Sequence, residues 1–95
     1  MIIKFDKIAE KQLRKISPLI VKKLHKQIGF LLQDFNYPSL HTKKMIGIER
    51  FEARIDYHYR FTFRIEKNTI RILSIGMHDE GLGKKIKIID KNFTT

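Results

Sequence analysis

The spacing of apolar residues changes part-way along the chain, and that change constrains the fold more than any other feature. Ala9, Leu13 and Ile16 lie at helical spacing, as do Val21, Leu24, Ile28, Leu31, Leu32 and Phe35. From Phe51 onward the apolar residues recur at every second position. A helix gathers its apolar side chains into one stripe every 3.6 residues, whereas a strand alternates between two faces. The first part of the chain is therefore suited to helices and the second to a sheet.

Local signals divide the two parts into elements. The opening MIIKF is a short apolar strand. Asp6 is placed to cap a first helix that runs to about Ile16. Ser17 and Pro18 start a second helix, with a capping hydroxyl followed by proline at the first helical position. Lys22, Lys23 and Lys26 fall largely on the side away from its apolar stripe. Pro38 ends that helix, because proline cannot continue it and biases Tyr37 toward extended backbone. RFEARID (50–56) and YRFTFRIE (59–66) then alternate, and Lys67-Asn68 supplies a turn. TIRILSIGM (69–77) is apolar on both faces for much of its length, as an interior strand would be. Gly81 and Gly83 break the pattern, and residues 84–95, with KIKIID, form either a last strand or a docked tail. The order β-α-α-β-β-β predicts one α+β domain over residues 1–95. Its two N-terminal helices are expected to pack on one face of an antiparallel sheet.

Composition narrows the class. A 42% hydrophobic content is too rich for a disordered chain. The lack of cysteine excludes disulfides and thiolate zinc sites. No apolar run approaches the roughly 18–20 residues of a membrane span. The N-terminus passes from MIIKF into a charged segment with no signal-peptide pattern, so a cytoplasmic location is expected. Twenty Lys and Arg against ten Asp and Glu leave a net charge of +10, with an isoelectric point near 10.0. Such a charge suits a nucleic acid, an acidic protein or an anionic membrane surface.

The arginines of the strands concentrate that charge. In YRFTFRIE, Phe61, Phe63 and Ile65 share one face, while Arg60, Thr62 and Arg64 share the other. With Phe51, Ala53 and Ile55 also toward the helices, Arg54, Arg60 and Arg64 all face away from them. Same-face residues on adjacent antiparallel strands lie about 5 Å apart, so these guanidinium groups can line one surface. Two outcomes are open at this point: a row of clamps for an anionic ligand, or cross-strand ion pairs with Glu52, Asp56 and Glu66.

The element order and these residues resemble the RelE/ParE family of bacterial and archaeal toxins from toxin–antitoxin systems. The matching pieces are the paired N-terminal helices, LHTKKMIG leading into the sheet, FEARIDYHYRFTFRIE, and IRILSIGMHDE. Together they span roughly residues 1–82. The most specific part is Tyr59-Arg60 on an interior strand, followed one strand later by IGMHD. The resemblance implies a compact toxin, without a cofactor, held inactive by an acidic antitoxin whose extended or helical segment wraps around it. It also implies two activities within one fold. RelE-like members cleave messenger RNA on the ribosome without a metal, and ParE-like members inhibit DNA gyrase.

Metal-free RNA cleavage sets the tasks that candidate residues must meet. The 2′-OH attacks phosphorus, so one group must help remove its proton. Cations must hold the phosphoryl oxygens, and an acid must protonate the departing 5′-oxygen. Arginine suits the second task, since its planar fork grips two phosphate oxygens. By the resemblance, Arg60 occupies the family's Tyr-Arg position, with Arg54 as companion and Arg64 as further support. His78 matches a position where family members carry a histidine or basic residue, and imidazole exchanges protons near neutral pH. Asp79 either orients it or caps the loop. Lys43 and Lys44 lie where RelE-like members carry lysines, to hold the RNA backbone or to acidify the 2′-OH. His41 is a second proton-transfer candidate. His25 and His58 are expected at the surface, and the histidines show no metal-ligand spacing with carboxylates, so no metal site is expected. At one point the sequence departs from the family. Many RNase members carry a tyrosine shortly after the histidine position, whereas HDEGLGKK has none. Tyr57 and Tyr59, on the preceding hairpin, are the nearest substitutes. A gyrase inhibitor without nuclease activity, or a non-catalytic basic module for RNA or protein, therefore stands as the alternative.

Overall fold

The computed structural model describes residues 1–47 and 49–78. Asp79, the glycines at 81 and 83 and the tail over 84–95 lie outside the described residues. The elements are β1 (Ile2–Phe5), α1 (Lys7–Lys15), α2 (Pro18–Gln33), a 3-10 turn (Pro38–Leu40), β2 (Lys43–Lys44), β3 (Phe51–Arg54), β4 (Tyr59–Glu66) and β5 (Thr69–Met77). The expected α+β order holds, with the two-residue edge strand β2 added. The strands form one sheet in the order β1-β5-β4-β3-β2. Among the described residues, no helix is long and apolar enough to cross a membrane.

The sheet is mixed, and this corrects the antiparallel expectation. β1 runs parallel to β5, while the β2–β3, β3–β4 and β4–β5 pairs are antiparallel. Both helices and three strands intervene between β1 and β5, so no hairpin dictates its direction. The parallel register Ile3↔Ile70 and Phe5↔Ile72 lets Ile3 and Phe5 pack against the core. A period of two carries no information about strand direction, so the sequence could not specify it.

The helices start as expected at one end and differently at the other. Ser17 Oγ accepts the Ile20 N–H at 3.4 Å, and Pro18 opens α2. Asp6 stands at the N-cap of α1 but makes no capping bond there. Its carboxylate instead accepts Arg71 Nη1 at 3.0 Å, because a charge-assisted guanidinium bond is stronger than a neutral backbone one.

Ala9, Ile20, Leu24, Ile28 and Leu31 of the helices pack on Ala53, Phe61, Phe63, Ile70, Ile72 and Ile75 of the sheet. Three residues assigned to the apolar faces behave otherwise. Leu32 is 44% exposed and Ile65 40%. Phe35 lies beyond the end of α2 and meets Phe51 and Phe63 edge-on, with ring centroids 5.0 and 5.9 Å away.

β5 has the expected bounds but a different internal structure. Its register against β4 slips between Thr62 and Phe63: Thr62 pairs with Ser74, whereas Phe63 pairs with Ile72. Leu73 is the extra residue of a β-bulge. Ile70 and Ile72 before the bulge and Ile75 after it join the core, so that face keeps its apolar residues across a one-residue shift of phase, while Leu73 is buried at the bulge outside that core cluster. After the bulge, Ser74 and Gly76 lie across from Thr62 and Arg60, and continued alternation brings His78 to that same face. An unbroken alternation from Ile70 and Ile72 would have turned His78 toward the helices. β1 covers the outer edge of β5 only as far as Ile72. Beyond it, Gln12 of α1 accepts the Ile75 N–H at 2.6 Å.

Candidate active site

The sheet face away from the helices carries two charged clusters. At one end, Arg71 binds Asp6 at 3.0 Å and Glu66 at 3.1 Å, and Arg64 binds Glu66 at 2.9 Å. The hydrogen bond from Arg71, and then that from Arg64, holds the Glu66 carboxyl below its ordinary value despite slight desolvation. The bonds that Arg71 donates to Asp6 and Glu66 raise its guanidinium in turn. This end is balanced in charge.

The other end is not. Arg54 lies directly opposite Arg60 across β3 and β4, an arrangement of like charges that destabilises a sheet. The nearby carboxylates are committed elsewhere. Glu52 pairs with Lys43 at 3.6 Å, and Asp56 pairs with Lys23 of α2 at 3.2 Å. Among the described residues, neither Arg54 nor Arg60 belongs to an ion pair.

The β3–β4 turn holds Arg60 in place. Its Nη1 donates to the carbonyls of Asp56, Tyr57 and Tyr59 at 3.0, 3.1 and 3.2 Å. Among the described residues, Nε and Nη2 are left to meet a ligand. The turn is itself tied by Asp56, which accepts the N–H groups of His58 and Tyr59, both at 2.9 Å. Burial pushes the Asp56 carboxyl up, but those two bonds and the Lys23 ammonium outweigh it and hold the group below its usual range. Burial, and then repulsion from Arg54, lower the Arg60 guanidinium from its ordinary value against the pull of Glu52 and Asp56. It remains a cation at neutral pH.

Adjoining cavities open over this pair. One of about 220 Å³ is lined by His41, Lys43, Glu52, Arg54, Arg60 and His78. A second shares Arg54, Arg60 and His78 with Tyr57 and His58. A third continues over Thr62, Ser74 and Gly76 and again includes Glu52, Arg60 and His78. The His78 backbone N–H donates to the His58 carbonyl at 2.7 Å. Its Nδ1 is buried and has no hydrogen-bond partner among the described residues. A surface with two facing guanidinium groups, an ammonium, a carboxylate and two imidazoles can bind a phosphodiester and move protons beside it. Among the described residues, no group of three or more His, Asp or Glu side chains could hold a metal ion.

No family model and no curated protein matches the sequence. Solved structures do match. The YoeB/ParE toxin from Agrobacterium tumefaciens superposes with a TM-score of 0.72 at 13% identity, over 83% of this chain and 100% of that one. The YoeB dimer from Staphylococcus aureus gives 0.71 at 18% identity, over 83% and 98% of the two chains. The intact E. coli RelBE toxin–antitoxin complex gives 0.66 at 18% identity, over 82% and 96%.

The chain has the RelE/ParE-like toxin fold.

Within this RelE/ParE-like fold, the expected site residues divide cleanly. Arg54, Arg60, Lys43, His41 and His78 line one cavity. Lys44 alternates to the opposite side of β2, across from Phe51, where it pairs with Glu49 at 3.6 Å. Arg64 is bound to Glu66 at the balanced end of the face, and Asp79 lies outside the described residues. His25 is exposed on α2. His58 is exposed as expected, yet it also borders the cavity beside Arg60. Of the two substitute tyrosines, Tyr57 borders that cavity at 77% exposure, while Tyr59 packs on the core. Glu52, expected only in ion pairing, also lines this cavity. The signal was available, since Glu52 has the same parity on β3 as Arg54. Gln27, buried on α2, was also missed.

Proposed function

We propose that this RelE/ParE-like chain is the toxin of a toxin–antitoxin pair and that it cleaves messenger RNA engaged with the ribosome, using its own side chains. One observation carries the proposal: Arg54 and Arg60 face each other without a carboxylate partner among the described residues, in a cavity shared with Glu52 and His78. A phosphodiester placed between the guanidinium groups relieves their repulsion and receives bidentate donors. In this scheme the Glu52 carboxylate takes the 2′-OH proton as O2′ bonds to phosphorus. Protonated His78 gives its proton to O5′ as the P–O5′ bond breaks. The products are a 2′,3′-cyclic phosphate and a 5′-hydroxyl. Lys43 and the two arginines hold the negative charge that grows on the phosphoryl oxygens. The partner expected for a chain of net charge +10 is an acidic antitoxin; the E. coli RelBE structure to which this chain is similar is a toxin–antitoxin complex.

Brief induction in growing cells, with mapping of messenger RNA 5′ ends, tests the reading. Arg60→Ala, His78→Gln and Glu52→Gln should each lower cleavage by roughly 10²–10⁴-fold while the variants retain the wild-type circular dichroism. Full activity in these variants would overturn the site. DNA damage signalling with intact messenger RNA would instead identify a gyrase inhibitor.

A further inference from the structure

Gln27 is the only buried polar or charged residue among the described residues, at 6% exposure. It lies on α2, on the far side of the sheet from the cavity, yet its amide reaches the backbone of Arg54, which lines the cavity, and Ser39 in the turn that leads to His41. Nε2 donates to the Arg54 carbonyl at 2.9 Å and to the Ser39 carbonyl at 3.1 Å, while Oε1 accepts the Ser39 hydroxyl at 3.1 Å. Two carbonyls can only accept, so the orientation of the amide is fixed by chemistry.

The position of this bridge gives it meaning. The β2–β3 ladder ends at Lys43↔Glu52. Ile55 N–H donates to Tyr59 O, so alternation turns the Arg54 carbonyl away from β4 and toward the side where β2 has already ended. Among the described residues no strand supplies a donor there; Gln27 does. Ser39 belongs to the 3-10 turn that delivers His41, whose backbone is left-handed at φ 46° and ψ 46°, and then Lys43. Arg54 forms the facing wall with Arg60. One side chain thus spans the gap between the His41–Lys43 wall and the Arg54 wall.

We propose that Gln27 is a positioning residue that sets the separation of these two walls around the RNA phosphate, an inference that rests on the cleavage function above. It does not touch the substrate. Its amide takes the place of the missing β2–β3 ladder, so the geometry of the cations follows the helix layer.

The test uses the full chain with Gln27→Met, which conserves volume but donates no hydrogen bond. Ile28→Ala, a buried apolar neighbour on the same helix, is the control for lost stability. Ser39→Ala is a milder second variant at an exposed position and releases Oε1 alone. Backbone amide spectra report geometry. The cleavage rate at saturating RNA oligonucleotide is compared with the Kd for its all-deoxy counterpart, which lacks the attacking hydroxyl. Gln27→Met should shift or double the amide signals of His41, Thr42, Arg54 and Ile55 and lower the saturated rate at least tenfold, with Kd changed less than threefold. Ser39→Ala should move the same signals and lower the rate at least threefold, and it decides the matter should Gln27→Met not fold. Ile28→Ala should leave those signals in place and keep the rate per folded molecule. Unchanged signals in both test variants, or an equal loss of rate in Ile28→Ala, overturn the proposal. If the wild-type chain cleaves the RNA neither free nor on programmed ribosomes, the functional reading fails on its own, and the amide signals alone decide whether Gln27 sets the walls.

Discussion

Arg54 and Arg60 meet at one register position of the sheet, and a chain selected only for stability would not place them there. Arg54→Gln should therefore raise thermal stability by about 0.2–1 kcal/mol while weakening RNA binding. Adding sulfate should raise the unfolding midpoint of the wild type more than that of the variant; equal shifts would show that the pair holds no anion. Asp56 gives a second expectation at this scale. Its carboxyl is held below the usual range in the folded chain, against about 3.9 when unfolded. In the acid range the unfolded chain therefore binds more protons, so this contribution is present above about pH 4 and lost as pH falls through the folded value. Asp56→Asn should cost on the order of 1 kcal/mol at pH 7. In urea unfolding, the gap from wild type should narrow as pH falls below about 4 and close once the carboxyl is protonated in the folded chain too. The arginine face was legible in the sequence from parity alone. The choice of partners was not, because Glu52 and Asp56 find Lys43 and Lys23 on other elements.

At the scale of elements, the bulge in β5 has the largest consequence. Deleting Leu73 removes the extra residue and leaves Ile72 and Ser74 consecutive across from Phe63 and Thr62, so Ser74, Gly76 and His78 should keep their face and Ile75 its place in the core. Such a chain should fold and cleave, whereas an alanine inserted after Ser74, which carries Gly76 and His78 to the helix side and Ile75 to solvent, should do neither; an inactive deletion with an active insertion would refute the bulge. Gln12→Met tests the outer edge of β5, since it leaves the Ile75 N–H without its partner at 2.6 Å. A loss of about 1–3 kcal/mol is expected by denaturant unfolding. β4 and β5 take the bounds that periodicity predicts, yet Ile72-Leu73 reads the same whether a strand is buried on both faces or bulged. Only the pairing with β4 separates the two.

For the whole molecule, the net charge of +10 is spread unevenly over the sheet. Asp6, Arg64, Glu66 and Arg71 neutralise one another at one end of the polar face, while the Arg54–Arg60 end is left positive. Affinity for single-stranded RNA should accordingly fall steeply with salt, with a log–log slope near −0.7 for each phosphate neutralised. Removing Arg54 or Arg60 should lower the slope by about one such step, whereas Arg64→Ala should leave it almost unchanged. Fluorescence anisotropy across a salt series checks this, and an equal effect of Arg64 would place RNA along the entire face.

By itself the sequence determined the α+β order, the bounds of β4 and β5, the inward phenylalanines and the cationic character of the outer face. All of these follow from spacing and side-chain type, which are local properties. The tertiary structure alone decided that β1 runs parallel, that a bulge turns His78 to the face of Arg60, and that Lys44 and Arg64 leave the cavity. It also placed the buried amide of Gln27 between two walls. Those outcomes depend on register and on contacts between distant elements, and no periodicity within a single segment encodes them.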